Sequence, residues 1–148
     1  MLYIFITVVL FFIELSIKSY IEKTKKENQK QCIIKDELYI EYTKNKGAIY
    51  SLYEDKSNIV CGVSAILLGI MGIVYGFTLT KKENCLSKLG LSLLIAGGLS
   101  NVYDRINRKY VVDYIYWRKL KKIIFNMADV FIFIGSIIYF IGDLLRKD

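Results

Sequence analysis

Apolar residues fall along the chain in four runs divided by polar stretches. Leu2 to Ile17 carries only Glu14 as a charge, and Ile59 to Leu79 carries none. Leu89 to Val102 is apolar and continues helically towards Asp104, while Ile123 to Ile141 carries only Asp129. A membrane-spanning helix takes about 20 residues, with a working range of about 17–25. The second and fourth runs reach that length directly, and the first and third reach it by including polar neighbours. The expected spans are about 2–18, 59–79, 87–105 and 123–142. The first run lacks a basic lead-in and a small-x-small cleavage site, so it reads as a retained span. The pattern predicts an all-α polytopic membrane protein of four transmembrane helices, with residues 1–148 forming a single membrane domain.

Between the first two runs the period changes. "SYIEKTKKENQK" alternates Lys with Glu and reads as a solvated helix extension or loop. In "ELYIEYT" the residues Leu38, Ile40 and Tyr42 alternate with Glu37, Glu41 and Thr43, the pattern of a half-buried strand. "KNKG" supplies a turn and "AIYSLY" resumes the alternation, so residues 37–53 predict a small amphipathic β-hairpin. It belongs to a cap over about residues 30–57, and its tyrosines suit a membrane interface.

Composition narrows the chemistry. The 148 residues are 54% hydrophobic and 24% charged, and the two kinds are segregated, as in a polytopic membrane protein. The absence of His excludes Ser-His and Cys-His nucleophile pairs and His-ligated zinc. Cys32, Cys61 and Cys85 have no metal-ligand spacing and read as unpaired small residues. Neither a phosphate loop nor a dinucleotide fingerprint occurs, so no metal or cofactor is expected. Gly62, Gly69, Gly72 and Gly76 predict close helix packing by the second span. The net charge of +7 does not indicate nucleic acid, because Lys and Arg flank the spans. The one dense run, "RKLKK" at 118–122, suits the headgroups of membrane lipids.

The carboxylates then need a reason, since an acid near hydrocarbon costs several kcal/mol on insertion scales. "NVYD" sets Asn101 and Asp104 three apart, with Arg105 completing one helix face. "FNMAD" repeats the spacing with Asn126 and Asp129. Counted from Ile123, Asp129 lies roughly 9 Å into the last span at 1.5 Å per residue. "YVVDY" carries Asp113 in an extended apolar setting that a short surface or re-entrant strand would return over the helix ends. Helix capping, or pairing with Arg105 and Arg108, accounts for Asp104 as well as a chemical role does. For Asp129, inside an apolar helix, a functional role is the default. Two carboxyls in a poorly solvated site share a proton and serve as acid and base, as in aspartic proteases.

These blocks give the chain a family. "GGLSNVYDR", "YVVDY" and "FNMAD" resemble, in order and spacing, the motifs of lipoprotein signal peptidase, the bacterial signal peptidase II family. "NKGAIYS" at 45–51 and "IELSIKSYI" at 13–21 resemble two further family segments, so the likeness covers essentially the whole chain. The resemblance implies an intramembrane aspartic endopeptidase that cleaves diacylglyceryl-modified prolipoproteins before the lipidated cysteine and is inhibited by globomycin. It implies Asp113 and Asp129 as catalytic, with Asn101, Arg105 and Asn126 positioning substrate and dyad. Asp104 would support them, and Asn45 would lie in the cap near the scissile bond. Glu14 stands where the family usually has Asp, Ser100 replaces a Gly, and Lys109 sits where Gly often precedes the "VVD" block.

The resemblance further implies a multi-pass protein of the bacterial cytoplasmic membrane, acting as a monomer with its active site on the extracytoplasmic side. Most of the 21 Lys and Arg residues fall in the first and third loops, which the positive-inside rule alone would put in the cytoplasm. The first loop nearly cancels its Lys with Asp and Glu, and the family orientation is the one expected. Glu14 reads either as a snorkelling partner of Lys18 or as a support reaching the polar cluster around Arg105. A competing reading is a non-enzymatic proton-coupled transporter or channel subunit with Asp129 as relay. It explains the embedded acid but neither the paired Asn-x-x-Asp motifs nor the hairpin.

Overall fold

The computed structural model describes residues 1–35, 37–47, 56–82, 85–120 and 123–145. Four helices, α1 (Leu2–Thr24), α2 (Ser57–Thr80), α3 (Cys85–Asn107) and α4 (Met127–Leu144), are each long and apolar enough to cross a membrane. Strands β1 (Lys30–Ile34) and β2 (Leu38–Asn45) follow α1, and β3 (Val111–Trp117) and β4 (Ile124–Phe125) lie between α3 and α4. They form one antiparallel sheet in the order β1-β2-β3-β4, which caps the end of the bundle where α1 and α3 finish and α2 and α4 begin. The fold class matches the one read from the sequence.

The bundle is built inside out, as a bilayer requires. The buried residues of α1 are Thr7, Glu14, Lys18 and Ile21, one helical stripe that is mostly polar. Its apolar side chains Phe5, Val8, Phe12 and Ile13 face outward. Helix α3 is the hub: it packs against α1, α2 and α4, and 61% of its apolar window is buried, against 6% for α2. Towards the end of the bundle away from the sheet, Thr7, Tyr75 and Ser92 bond to one another across α1, α2 and α3, leaving no polar atom of the trio to hydrocarbon.

Glycine does bring helices together, but not where the sequence predicted. A Cβ at Gly62, Gly69, Gly72 or Gly76 would meet nothing within 4 Å. The close approach is between α3 and α4, where a Cβ at Gly97 would lie 2.3 Å from the Ala128 carbonyl oxygen and one at Gly90 2.4 Å from the Tyr139 nitrogen. The four α2 glycines are on the helix face that no other described element covers.

The sheet also departs from expectation. Strand β2 forms where the alternation at 38–43 predicted a strand, although its burial does not alternate, and its hairpin partner is β1, on its N-terminal side. The "AIYSLY" segment expected to complete the hairpin lies outside the described residues. Strand β1 escaped the sequence reading because all five of its residues are exposed and show no alternation.

Candidate active site

Asp113 is delivered by β3, where Val111 to Tyr114 are all buried. Between the pairs Ile40–Ile115 and Thr43–Asp113, β2 has one residue more than β3. This bulge shifts the phase of the strand, so that Thr43 and Asn45 share the face of Asp113. Asn45 then reaches Asp113 diagonally, its Nδ2 donating to Oδ2 at 2.9 Å.

Asp129 arrives differently. Strand β4 occupies 124–125, so α4 starts at Met127 and Asp129 stands in the first turn, not roughly 9 Å inside the span as the sequence suggested. Asn126 and Asp129 form a reciprocal capping box: Asn126 Oδ1 accepts from the Asp129 nitrogen at 3.0 Å, and Asp129 Oδ2 accepts from the Asn126 nitrogen at 3.1 Å. Capping therefore coexists with any chemistry, since Asp129 Oδ1 still takes a bond from Asn101 Nδ2 at 2.8 Å. Gly97 makes this reach possible, because α3 touches α4 at Ala128 one helical turn before Asn101.

Asn126 joins the two acids. Its Nδ2 donates to Asp113 Oδ1 at 2.7 Å while its backbone and carbonyl oxygen hold Asp129. All four carboxylate oxygens thus accept from amides, and among the described residues no ammonium or guanidinium bonds directly to either acid, although Arg105 lies near enough to feel the charge of both. Burial, then the charge of Asp129, push the pKa of Asp113 up to about 7, outweighing the bonds from Asn45 and Asn126. Asp113 is therefore protonated over much of the range in which an ordinary aspartate is ionised.

Both acids open on one cavity of about 460 Å³, lined also by Asn45, Asn101 and Arg105 and walled by apolar groups such as Phe125, Ile132 and Phe133. Arg105 donates to the carbonyl oxygens of Asn101 and Gly47, at 3.3 and 3.2 Å, tying the end of β2 to α3. Three of the residues singled out in the sequence, Asn126, Asp104 and Glu14, stand behind the cavity, not in its wall. Asp104 is fully buried, bonded to Arg108, to Lys18 at 3.0 Å and to the Val112 nitrogen at 3.2 Å; Arg105 is not among its bonded partners. Glu14, also fully buried, accepts from Tyr114 Oη at 2.9 Å and the Ala128 nitrogen at 3.3 Å. It therefore neither snorkels nor reaches Arg105. With Tyr114 Oη accepting from the Met127 nitrogen at 3.3 Å, Glu14 instead completes the N-terminus of the helix that carries Asp129.

Lys18, Arg108 and Tyr114 were missed as site residues. Lys18 had two visible signals, its place in the family-like segment "IELSIKSYI" and its i, i+4 spacing from Glu14, and that pair is long at 3.9 Å. Its closer partners lie more than eighty residues away in sequence.

A family described as signal peptidase (SPase) II matches residues 6–145. The chain belongs to the signal peptidase II family. Lipoprotein signal peptidase of Clostridioides difficile (strain 630) is 31% identical over 137 residues, spanning 93% of this chain and 90% of that one. The same enzyme of Clostridium novyi (strain NT) is 34% identical over 118 residues, 78% of each. A bacterial membrane enzyme solved by the in meso method at 2.3 Å resolution superposes with a TM-score of 0.83 at 27% identity, covering 99% of this chain and 92% of the other. The protein is thus a multi-helix aspartic peptidase of the bacterial membrane that acts on prolipoproteins, and nothing favours a transporter.

Proposed function

We propose that Asp113 and Asp129 are the catalytic pair of this peptidase, working from the extracytoplasmic side. The observation that carries the reading is their arrangement: two carboxyls on one apolar-walled cavity, bridged by Asn126 and held by neutral amides. With amides and not cations as their bonded partners among the described residues, the pair can hold one proton between them. Ionised Asp129 takes a proton from water as it attacks the scissile carbonyl carbon. Protonated Asp113 gives its proton to the carbonyl oxygen. Asn45 and Arg105, at the cavity wall, are placed to bond the substrate backbone; Asn101 and Asn126 hold the acids, and Asp104 and Glu14 brace them from behind.

The substrate is the signal peptide of a diacylglyceryl-modified prolipoprotein, cut before the lipidated cysteine, with one chain supplying every named residue. The orientation reading draws support from the burial of Lys18 and from local pairing of Arg108 with Glu22, Lys30 with Glu41 and Lys44 with Glu27. Many sheet-side cations are thus bound within the fold.

Purified enzyme with a diacylglyceryl prolipoprotein tests the pair. Asp113→Asn and Asp129→Asn each abolish globomycin-sensitive cleavage, and the double variant is no worse than either. Near-normal turnover by either single variant sinks the assignment. In a cysteine-free background, cysteine at Ser57 or Lys119 reacts with an impermeant thiol reagent in intact cells and cysteine at Glu83 does not; the reverse pattern puts the site in the cytoplasm.

A further inference from the structure

Lys18 is the largest of the fully buried side chains, and its surroundings are specific. Its ammonium donates to Asn101 Oδ1 at 2.8 Å and to Ser100 Oγ at 3.0 Å, and pairs with Asp104 Oδ2 at 3.0 Å, which uses all three of its protons. A buried ion pair is weak evidence for a stabilising role, because packed apolar side chains of equal volume serve as well or better. An apolar side chain would not, however, orient an amide.

We infer that Lys18 is a positioning residue for the reaction, fixing the Asn101 amide so that Asn101 holds the Asp129 carboxylate in line with the cavity. Asn101 has two ends to distinguish. With Oδ1 on the ammonium, Nδ2 faces Asp129 Oδ1 at 2.8 Å. The flipped amide would set an NH2 against the ammonium and a carbonyl oxygen against the carboxylate, two contacts of like polarity. Asn126 is locked by its part in the capping box, but Asn101 lies in mid-helix with no cap to fix its side chain. Among the described residues, the one other contact of its Oδ1 is from Asn126 Nδ2, at a longer 3.3 Å. Without Lys18, Asp129 is held firmly on one oxygen alone and turns about its side-chain torsion. An error near 1 Å at a reacting group can lower a rate about a hundredfold.

The inference rests on Asp129 being catalytic, and its test separates the two ideas. Full-length enzyme in detergent is assayed on a diacylglyceryl prolipoprotein as wild type, Lys18→Met, Asn101→Ala and the double variant. Lys18→Met lowers kcat at least about tenfold and changes KM by less than about threefold, the split expected for misplaced chemistry. In the Asn101→Ala background the same change lowers kcat by less than about twofold, because the residue through which Lys18 acts is gone. An equal loss in both backgrounds, or no loss in the first, overturns the inference while leaving Asp129→Asn inactive. Should Lys18→Met not accumulate, Glu14→Gln/Lys18→Met removes one charge of each sign and enters the same cycle with Glu14→Gln as reference.

Discussion

Asp113→Asn should inactivate the enzyme and stabilise it at once. The pKa of Asp113 stands at about 7, against 3.8 for an ordinary aspartate. At 1.36 kcal/mol per pKa unit, ionising it in the fold costs about 4 kcal/mol more than in the unfolded chain. Between the two pKa values the folded state binds more protons than the unfolded one, so stability falls as pH rises and levels off above about pH 7. Asn cannot ionise and escapes this penalty. It does lose one bond, since Asn45 and Asn126 each donate to a different carboxylate oxygen and Asn offers only one acceptor, a loss of about 1 kcal/mol. The net gain is about 3 kcal/mol at pH 8 and under about 1 kcal/mol at pH 5. For a chain of this size that raises the midpoint at pH 8 by roughly 6–12 °C. Thermal unfolding in detergent at both pH values, beside a cleavage assay, measures it. No gain at pH 8, or an equal gain at both, refutes the account of Asp113 as a buried acid strained by its own charge.

Cleavage should decline above about pH 7, as Asp113 loses the proton it donates; kcat/KM still climbing at pH 9 contradicts that role. Lys109 has a positive φ of 67°, the backbone state that favours glycine. Lys109→Gly should therefore stabilise by about 1 kcal/mol with unchanged kcat, a midpoint shift of a few degrees in thermal unfolding. Gly97→Ala drives a methyl into the Ala128 carbonyl and should lower both stability, by more than about 2 kcal/mol, and activity. Gly72→Ala, in open space, should be neutral or slightly stabilising, and comparing the two variants' melting points and cleavage rates tests which glycines pack. Glu14→Ala should lower cleavage without abolishing it, by freeing the Ala128 nitrogen and Tyr114 hydroxyl, whereas Glu14→Asp keeps activity; a dead Glu14→Ala at equal abundance would place Glu14 in the chemistry.

What the sequence disclosed follows from where polarity is expensive. Polar residues inside apolar runs were legible because hydrocarbon tolerates few of them, and Glu14, Asn101, Asp104, Asn126 and Asp129 all prove to lie in one connected network. Spacing along the chain could not give their pairing. Lys18 bonds Ser100 and Asn101 across 82 and 83 residues, and Glu14 meets the Ala128 nitrogen across 114. The start of α4 was misjudged because Ile124 and Phe125 are as acceptable in a strand as in a span, and only their register with Ile115 and Tyr116 makes them β4. The bulge in β2 was invisible for a similar reason: Glu41 and Tyr42 fit regular alternation, and only pairing with β3 reveals the extra residue that turns Asn45 towards Asp113. Helix α2 shows the opposite error. Its glycines suggested packing, yet its uniform hydropathy, the highest of the four, is what a helix covered chiefly by lipid can sustain. Helix α3, with the lowest, is the buried hub. In water the apolar stripe of a helix marks its buried side; in this bundle Thr7, Glu14 and Lys18 mark it, because lipid already covers the apolar face and only other protein groups can satisfy the polar one.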